Sequence, residues 1–169
     1  NGNQTAALLI DSILKHKTET GTLEKSHKIV KTIVTSDLLE KICSEYGVEI
    51  FNTLTGFKWI AGLLRSWEEK KNGYKYLFGT EESFGYMPNN NVRDKDAIGA
   101  MCQAVEMISL SKDHGKTLCE SLFEIFQKHG AWQEDLVNID LYGEEGALRI
   151  TRMMQKMRSA PIMNCGELH

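Results

Sequence analysis

Apolar residues recur at three- and four-residue spacing from Gln4 to His16, where Ala6, Leu9, Ile10, Ile13 and Leu14 share one face. That spacing predicts a first helix, with Asn3 as its N-cap. A polar stretch from Lys17 to Ser26 reads as a loop, and the short β-branched run Ile29 to Val34 as a strand. Leu38, Leu39, Ile42, Cys43 and Tyr46 then repeat as a helix face. Asp37 to Glu40 reads as its capping box and Gly47 as its stop. Val48 to Leu54 is strand-like. Phe57, Ile60, Ala61, Leu64 and Trp67 mark a third helix, and Tyr74 to Phe78 a third strand. Gly79 to Arg93 has no sustained period and reads as a long loop. Ala97, Met101, Ala104, Val105 and Ile108 give a fourth helix, and Leu118, Leu122, Ile125, Phe126 and His129 a fifth that stops at Gly130.

Beyond Gly130, Val137, Ile139 and Leu141 alternate with polar residues as in a half-exposed strand. Ala147, Ile150, Met154 and Met157 follow as a last helix. The expected organisation is an α/β domain over residues 1–130 and a strand-helix extension over 131–169, the last residues from Met163 lacking any period. The alternation of helix and strand calls for a three-layer α/β/α sandwich with a largely parallel or mixed sheet, because parallel strands are joined by right-handed crossovers. In open sheets of this kind ligands bind beyond the carboxyl ends of the strands. That rule selects three loops: Thr35-Ser36-Asp37, Leu54-Thr55-Gly56, and Gly79 through Lys95.

Composition narrows the partners. The 169 residues are 41% hydrophobic and 25% charged, ordinary for a globular chain and against disordered or low-complexity readings. A net charge of -3 lacks the basic field of a nucleic-acid binder. No apolar run approaches the roughly 20 residues that span a bilayer, so no membrane partner is expected. The cysteines Cys43, Cys102, Cys119 and Cys165 form no C-x-x-C pair, and a reducing, cytoplasmic setting is expected.

Glu81-Glu82-Ser83 follows a buried strand directly. A carboxylate accepts from two hydroxyl groups and a serine both donates and accepts, so the trio suits a polyol. The same residues serve equally well as turn caps, and the local sequence leaves both readings standing. Glu81-Glu82-Ser83-Phe84-Gly85 lacks the first glycine of the hydrolase nucleophile elbow. Gly115-Lys116-Thr117 imitates a P-loop end but reads as a helix start, and the histidines show no metal-ligand spacing. In Arg93-Asp94-Lys95-Asp96 an acid caps the fourth helix, leaving Lys95 free to meet a phosphate or an ionised oxygen.

With these loops in place the sequence resembles the α-D-phosphohexomutase family, the phosphoglucomutases and phosphomannomutases, and specifically their third, sugar-binding domain. The resemblance rests on Leu54-Thr55-Gly56-Phe57-Lys58, Glu81-Glu82-Ser83-Phe84-Gly85, Arg93-Asp94-Lys95-Asp96 and the opening Gly2-Asn3-Gln4, in that family's order. It implies that Glu81 and Ser83 hold adjacent ring hydroxyls of a hexose phosphate, that Thr55 and Gly56 line the same pocket, and that Lys95 meets the phosphate or its acceptor hydroxyl. For the parent enzyme it implies interconversion of hexose 1-phosphate and hexose 6-phosphate through a bisphosphorylated sugar. It further implies Mg²⁺, a glucose 1,6-bisphosphate activator and partnership with the other domains of the parent chain. The phosphoserine and metal loops belong to those other domains, so no catalytic or metal residue is assigned here and the fragment alone is expected to be inactive. Ser83 is followed by Phe84-Gly85-Tyr86 rather than the Gly-His common in phosphomannomutase-type members, which leaves phosphomannomutase and phosphopentomutase as alternatives. A non-catalytic α/β interaction module is the alternative outside enzymology.

Overall fold

The computed structural model describes residues 1–135 and 137–160. Residue 136 and the tail from 161, which holds Cys165, lie outside the described residues.

The sheet is built on β1 (His27–Thr32), whose six residues are all buried, as expected of a central strand rich in β-branched side chains. It pairs in parallel with β2 (Glu49–Thr53) on one side and β3 (Lys75–Glu81) on the other. The antiparallel β4 (Gly85–Met87) completes the order β2-β1-β3-β4, so the sheet is mixed. Five helices accompany these strands: α1 (Gly2–Glu19), α2 (Leu38–Glu45), α3 (Phe57–Lys70), α4 (Ala97–Asp113) and α5 (Leu118–His129).

Alternation along the strands divides the core in two. Ile29, Phe78 and Tyr86 pack with Ala6, Leu9, Ile10 and Leu14 of α1, Leu39 and Ile42 of α2, Met107 of α4 and Ile125 of α5. Val30 and Met87 face the opposite way, against Phe57, Ile60, Leu64 and Trp67 of α3. Helices thus cover both faces, giving the α/β/α sandwich. The α2 and α3 crossovers run in opposite directions along the sheet and so lie on opposite faces, as right-handed connections require. Gly79 of β3 has a specific packing cause: a Cβ there would strike the Tyr76 hydroxyl and the Ile60 side chain. Tyr76 Oη instead donates to the Met87 carbonyl at 2.6 Å, tying β3 to β4.

Several local expectations are corrected. The segment from Gly79 is not one long loop: β3 runs on to Glu81, and three residues turn the chain into β4. Asn1, not Asn3, caps α1 in a reciprocal box with Gln4, which frees the Asn3 side chain to accept from the Ser36 N–H at 3.1 Å. Asp37 precedes α2 without a side-chain cap bond, because its carboxylate is drawn to Lys31 instead. Ile33 and Val34 lie past the end of β1 and are more than half exposed.

By its internal contacts the chain divides into a unit of residues 1–133 and a second beginning at Glu134. The second unit contains α6 (Gly143–Ser159), whose Gly146 is packed so closely on Leu141 that a Cβ would lie 2.6 Å from the Leu141 carbonyl carbon. The strand expected over residues 137–141 is absent; Val137 and Ile139 are exposed, with no ladder partner among the described residues. Side-chain alternation satisfies the pleat, but a strand also needs a neighbour for its backbone groups. Among the described residues no helix is long and apolar enough to cross a membrane.

Candidate functional site

The carboxyl ends of the three parallel strands finish level, with Thr32 beside Thr53 and Lys31 beside Thr80. Each therefore delivers its following loop to one edge of the sheet. At the end of β3 the buried Glu81 accepts the Gly56 N–H on Oε1 at 2.5 Å. Gly56 is the N-cap of α3 at φ 115°, a conformation that favours glycine, and it has no side chain with which to cap the helix. The Glu81 carboxylate takes that place, at the helix end where the dipole favours negative charge. Two loops distant in sequence are thereby joined by one charge-assisted bond.

The turn after Glu81 is held from both sides. Beneath it, Gly2 opens α1 so close to the Glu82 carbonyl that a Cβ would overlap it, and Tyr86 Oη donates to the Gly2 carbonyl at 3.2 Å. Above it, a Cβ on Gly85 would stand 2.6 Å from the Phe57 ring and 3.3 Å from Glu81 Oε2. Ser83 and Phe84 occupy the exposed apex. One Glu82 carboxylate oxygen, Oε2, is buried without a hydrogen-bond partner among the described residues.

Phe57 is the surface on which the loops meet. Lys95 Nζ lies 4.7 Å from its ring centroid and 3.1 Å from Asp94 Oδ1. The Lys95 backbone N–H and ammonium both donate to Asp94 and hold its carboxyl below the ordinary carboxylate range. Arg93 is turned away, onto Glu68 near the far end of α3, and Asp96 caps α4 by accepting the Gly99 N–H at 2.9 Å. Lys95 thus lies over the ring of the residue that follows Gly56, the backbone partner of Glu81. Thr55 adjoins them, exposed in the loop after β2, and Ser83 stands on the turn two positions beyond Glu81.

The arrangement has the chemistry of a hydroxyl clamp: an anionic acceptor fixed at the sheet edge, an exposed hydroxyl on a braced turn, and a cation on an aromatic face. Among the described residues no group of three or more His, Cys, Asp or Glu side chains is placed to hold a metal ion.

Comparison with known proteins agrees with the fold. Residues 1–129 match the family model described as phosphoglucomutase/phosphomannomutase, alpha/beta/alpha domain III. The chain belongs to the phosphoglucomutase/phosphomannomutase family. A phosphoglucomutase of Staphylococcus aureus (strain bovine RF122 / ET3-1) is 35% identical over 162 residues, 95% of this chain and 28% of that protein. One from Staphylococcus haemolyticus (strain JCSC1435) is 32% identical over 158 residues, 93% of this chain and 27% of that one. The chain spans little more than a quarter of these relatives. In fold it is similar to the open form of the Paramecium phosphoglucomutase parafusin (TM-score 0.59, 18% identity, covering 98% of this chain and 27% of that one). It is likewise similar to a putative phosphomannomutase from Thermus thermophilus (TM-score 0.54, 23% identity, 73% and 25% covered).

This domain III also carries a residue at the same edge that sequence reasoning passes over. Lys31, 1% exposed near the end of β1, donates to the Thr35 carbonyl at 3.0 Å and to Asp37 Oδ1 at 2.8 Å, with Glu40 Oε1 at 3.2 Å. With the Thr32–Thr35 hydroxyl pair at 2.8 Å it braces the β1–α2 loop. Its signal is a lysine inside a β-branched strand, where a buried cation needs fixed acceptors.

Proposed function

We propose that this chain is the sugar-binding domain of a phosphoglucomutase-type enzyme that interconverts hexose 1-phosphate and hexose 6-phosphate through a bisphosphorylated sugar. Glu81 and Ser83 hold adjacent ring hydroxyls, Thr55 and Gly56 line the pocket, and Lys95 meets the phosphate or the hydroxyl that receives it. The observation that carries this reading is the Glu81 carboxylate, fixed at the carboxyl end of β3 by the Gly56 N–H beside the exposed Ser83. The named relatives favour glucose phosphates as substrates.

Phosphoryl transfer depends on positioning and on charge stabilisation. A bisphosphorylated intermediate must present first one end and then the other to the same donor. A clamp that grips ring hydroxyls and leaves the phosphates to other surfaces serves both poses. Catalytic serine, Mg²⁺ and the sugar bisphosphate activator belong, in this proposal, to the cytoplasmic parent enzyme and its other domains; the domain alone is inactive.

The test is Glu81→Gln in the full-length parent. The amide oxygen still accepts the Gly56 N–H, so the fold persists while the charged acceptor is lost. Losing a charged hydrogen bond to substrate lowers kcat/KM for glucose 1-phosphate by about ten- to a hundredfold. Wild-type turnover in a folded Glu81→Gln enzyme would remove Glu81 from the site.

A further inference from the structure

Three residues, Glu82, Ser83 and Phe84, join β3 to β4, and the third lies in the left-handed region at φ 59°. Three-residue hairpin loops commonly need that conformation at this position and fill it with glycine or asparagine. A bulky aromatic is disfavoured there. Nor is the turn free to relax, since Gly2 underlies the Glu82 carbonyl and Gly85 rests on the Phe57 ring. Phe57 and Phe78 are almost fully buried, yet Phe84 is 65% exposed. The ring therefore stands exposed in an unfavourable conformation on a braced turn, next in sequence to Ser83 and three positions past Glu81.

We infer that Phe84 is a substrate-positioning residue whose ring stacks on the apolar C–H face of the sugar while Glu81 and Ser83 take its hydroxyls. This rests on the sugar-binding reading above. A pyranose is amphipathic, with hydroxyls around its rim and C–H bonds over its faces, and the negative face of an aromatic ring receives polarised C–H groups. Hydroxyl contacts fix which atoms are held; a flat ring fixes the plane of the sugar. A plane held constant lets the hexose turn end for end between half-reactions without tilting.

The experiment uses the full-length parent enzyme with Phe84→Asn, Phe84→Gly, Phe84→Trp and Glu81→Gln. Asparagine accepts the left-handed conformation, and neither it nor glycine adds the strain that phenylalanine carries, so both variants fold. Both are expected to raise KM for glucose 1-phosphate about five- to tenfold, the scale of an aromatic contact, with a smaller change in kcat. Phe84→Trp keeps KM within about twofold of wild type, on the same contact scale. Inorganic phosphate as a competitive inhibitor has no C–H face, so its inhibition constant is expected not to move. An unchanged KM in Phe84→Asn and Phe84→Gly would overturn the inference. So would an equal weakening of phosphate and sugar phosphate, which would assign the ring to packing against another domain. Glu81→Gln separates the two levels: its full activity would sink the sugar-binding reading, whereas its loss beside an indifferent Phe84 would sink this inference alone.

Discussion

Asp11 shows how far a single side chain can lie outside sequence patterns. It counts by periodicity as a polar position of α1, yet it is partly buried and accepts from Tyr46 Oη at 3.1 Å. Burial raises its carboxyl above the ordinary value, and the Glu45 charge adds to this. A raised folded-state pKa means that its contribution to stability is complete at acid pH and is lost as pH rises through that pKa. Asp11→Asn keeps an acceptor for Tyr46 and removes the buried charge. It should raise Tm at pH 7 by about 2–4 °C, and the gain should vanish near pH 4, read by thermal melts at both values. A lower Tm at pH 7 would contradict this. Glu81, Ser83 and Lys95 were legible as candidates because motif order exposes them. Lys31 was not, since one lysine in a strand looks like an edge position until the fold encloses it.

At the scale of elements, most helices were readable, because an apolar face at helical spacing reflects the same burial that stabilises them. α5 has the bounds its pattern predicts, and Thr117 starts it with a capping box. β4 escaped notice: three residues with a leading glycine carry no period to read. The false strand at residues 137–141 failed the other way, its alternation having no pairing edge. Close backbone approach is equally invisible in a linear pattern, and Gly2 is the sharpest case. Gly2→Ala drives a methyl group into the Glu82 carbonyl, and overpacking of this kind costs about 1–3 kcal/mol. Urea unfolding should show that loss without a change in m-value. A neutral result would mean that α1 and the turn can separate freely.

For the whole molecule, the division at Gln133 and the coverage of barely more than a quarter of its relatives set the expectations. A chain ending at Gln133 retains both core clusters and should melt within about 3 °C of the longer one, a small shift for a domain of this size. Its affinity for glucose 1-phosphate should be no better than about millimolar, because a few polar contacts must offset ordering and desolvation. NMR titration would show shifts confined to residues around Gly56, Glu81 and Ser83, and micromolar binding would refute the division of labour between domains. The bond from Gly56 to Glu81 sets one last arithmetic. With one acceptor site of Oε1 already taken by the backbone, the two carboxylate oxygens do not meet a vicinal diol on equal terms. On the proposed reading the second alcohol falls to Ser83, so a ligand lacking either neighbouring alcohol would leave half the grip empty.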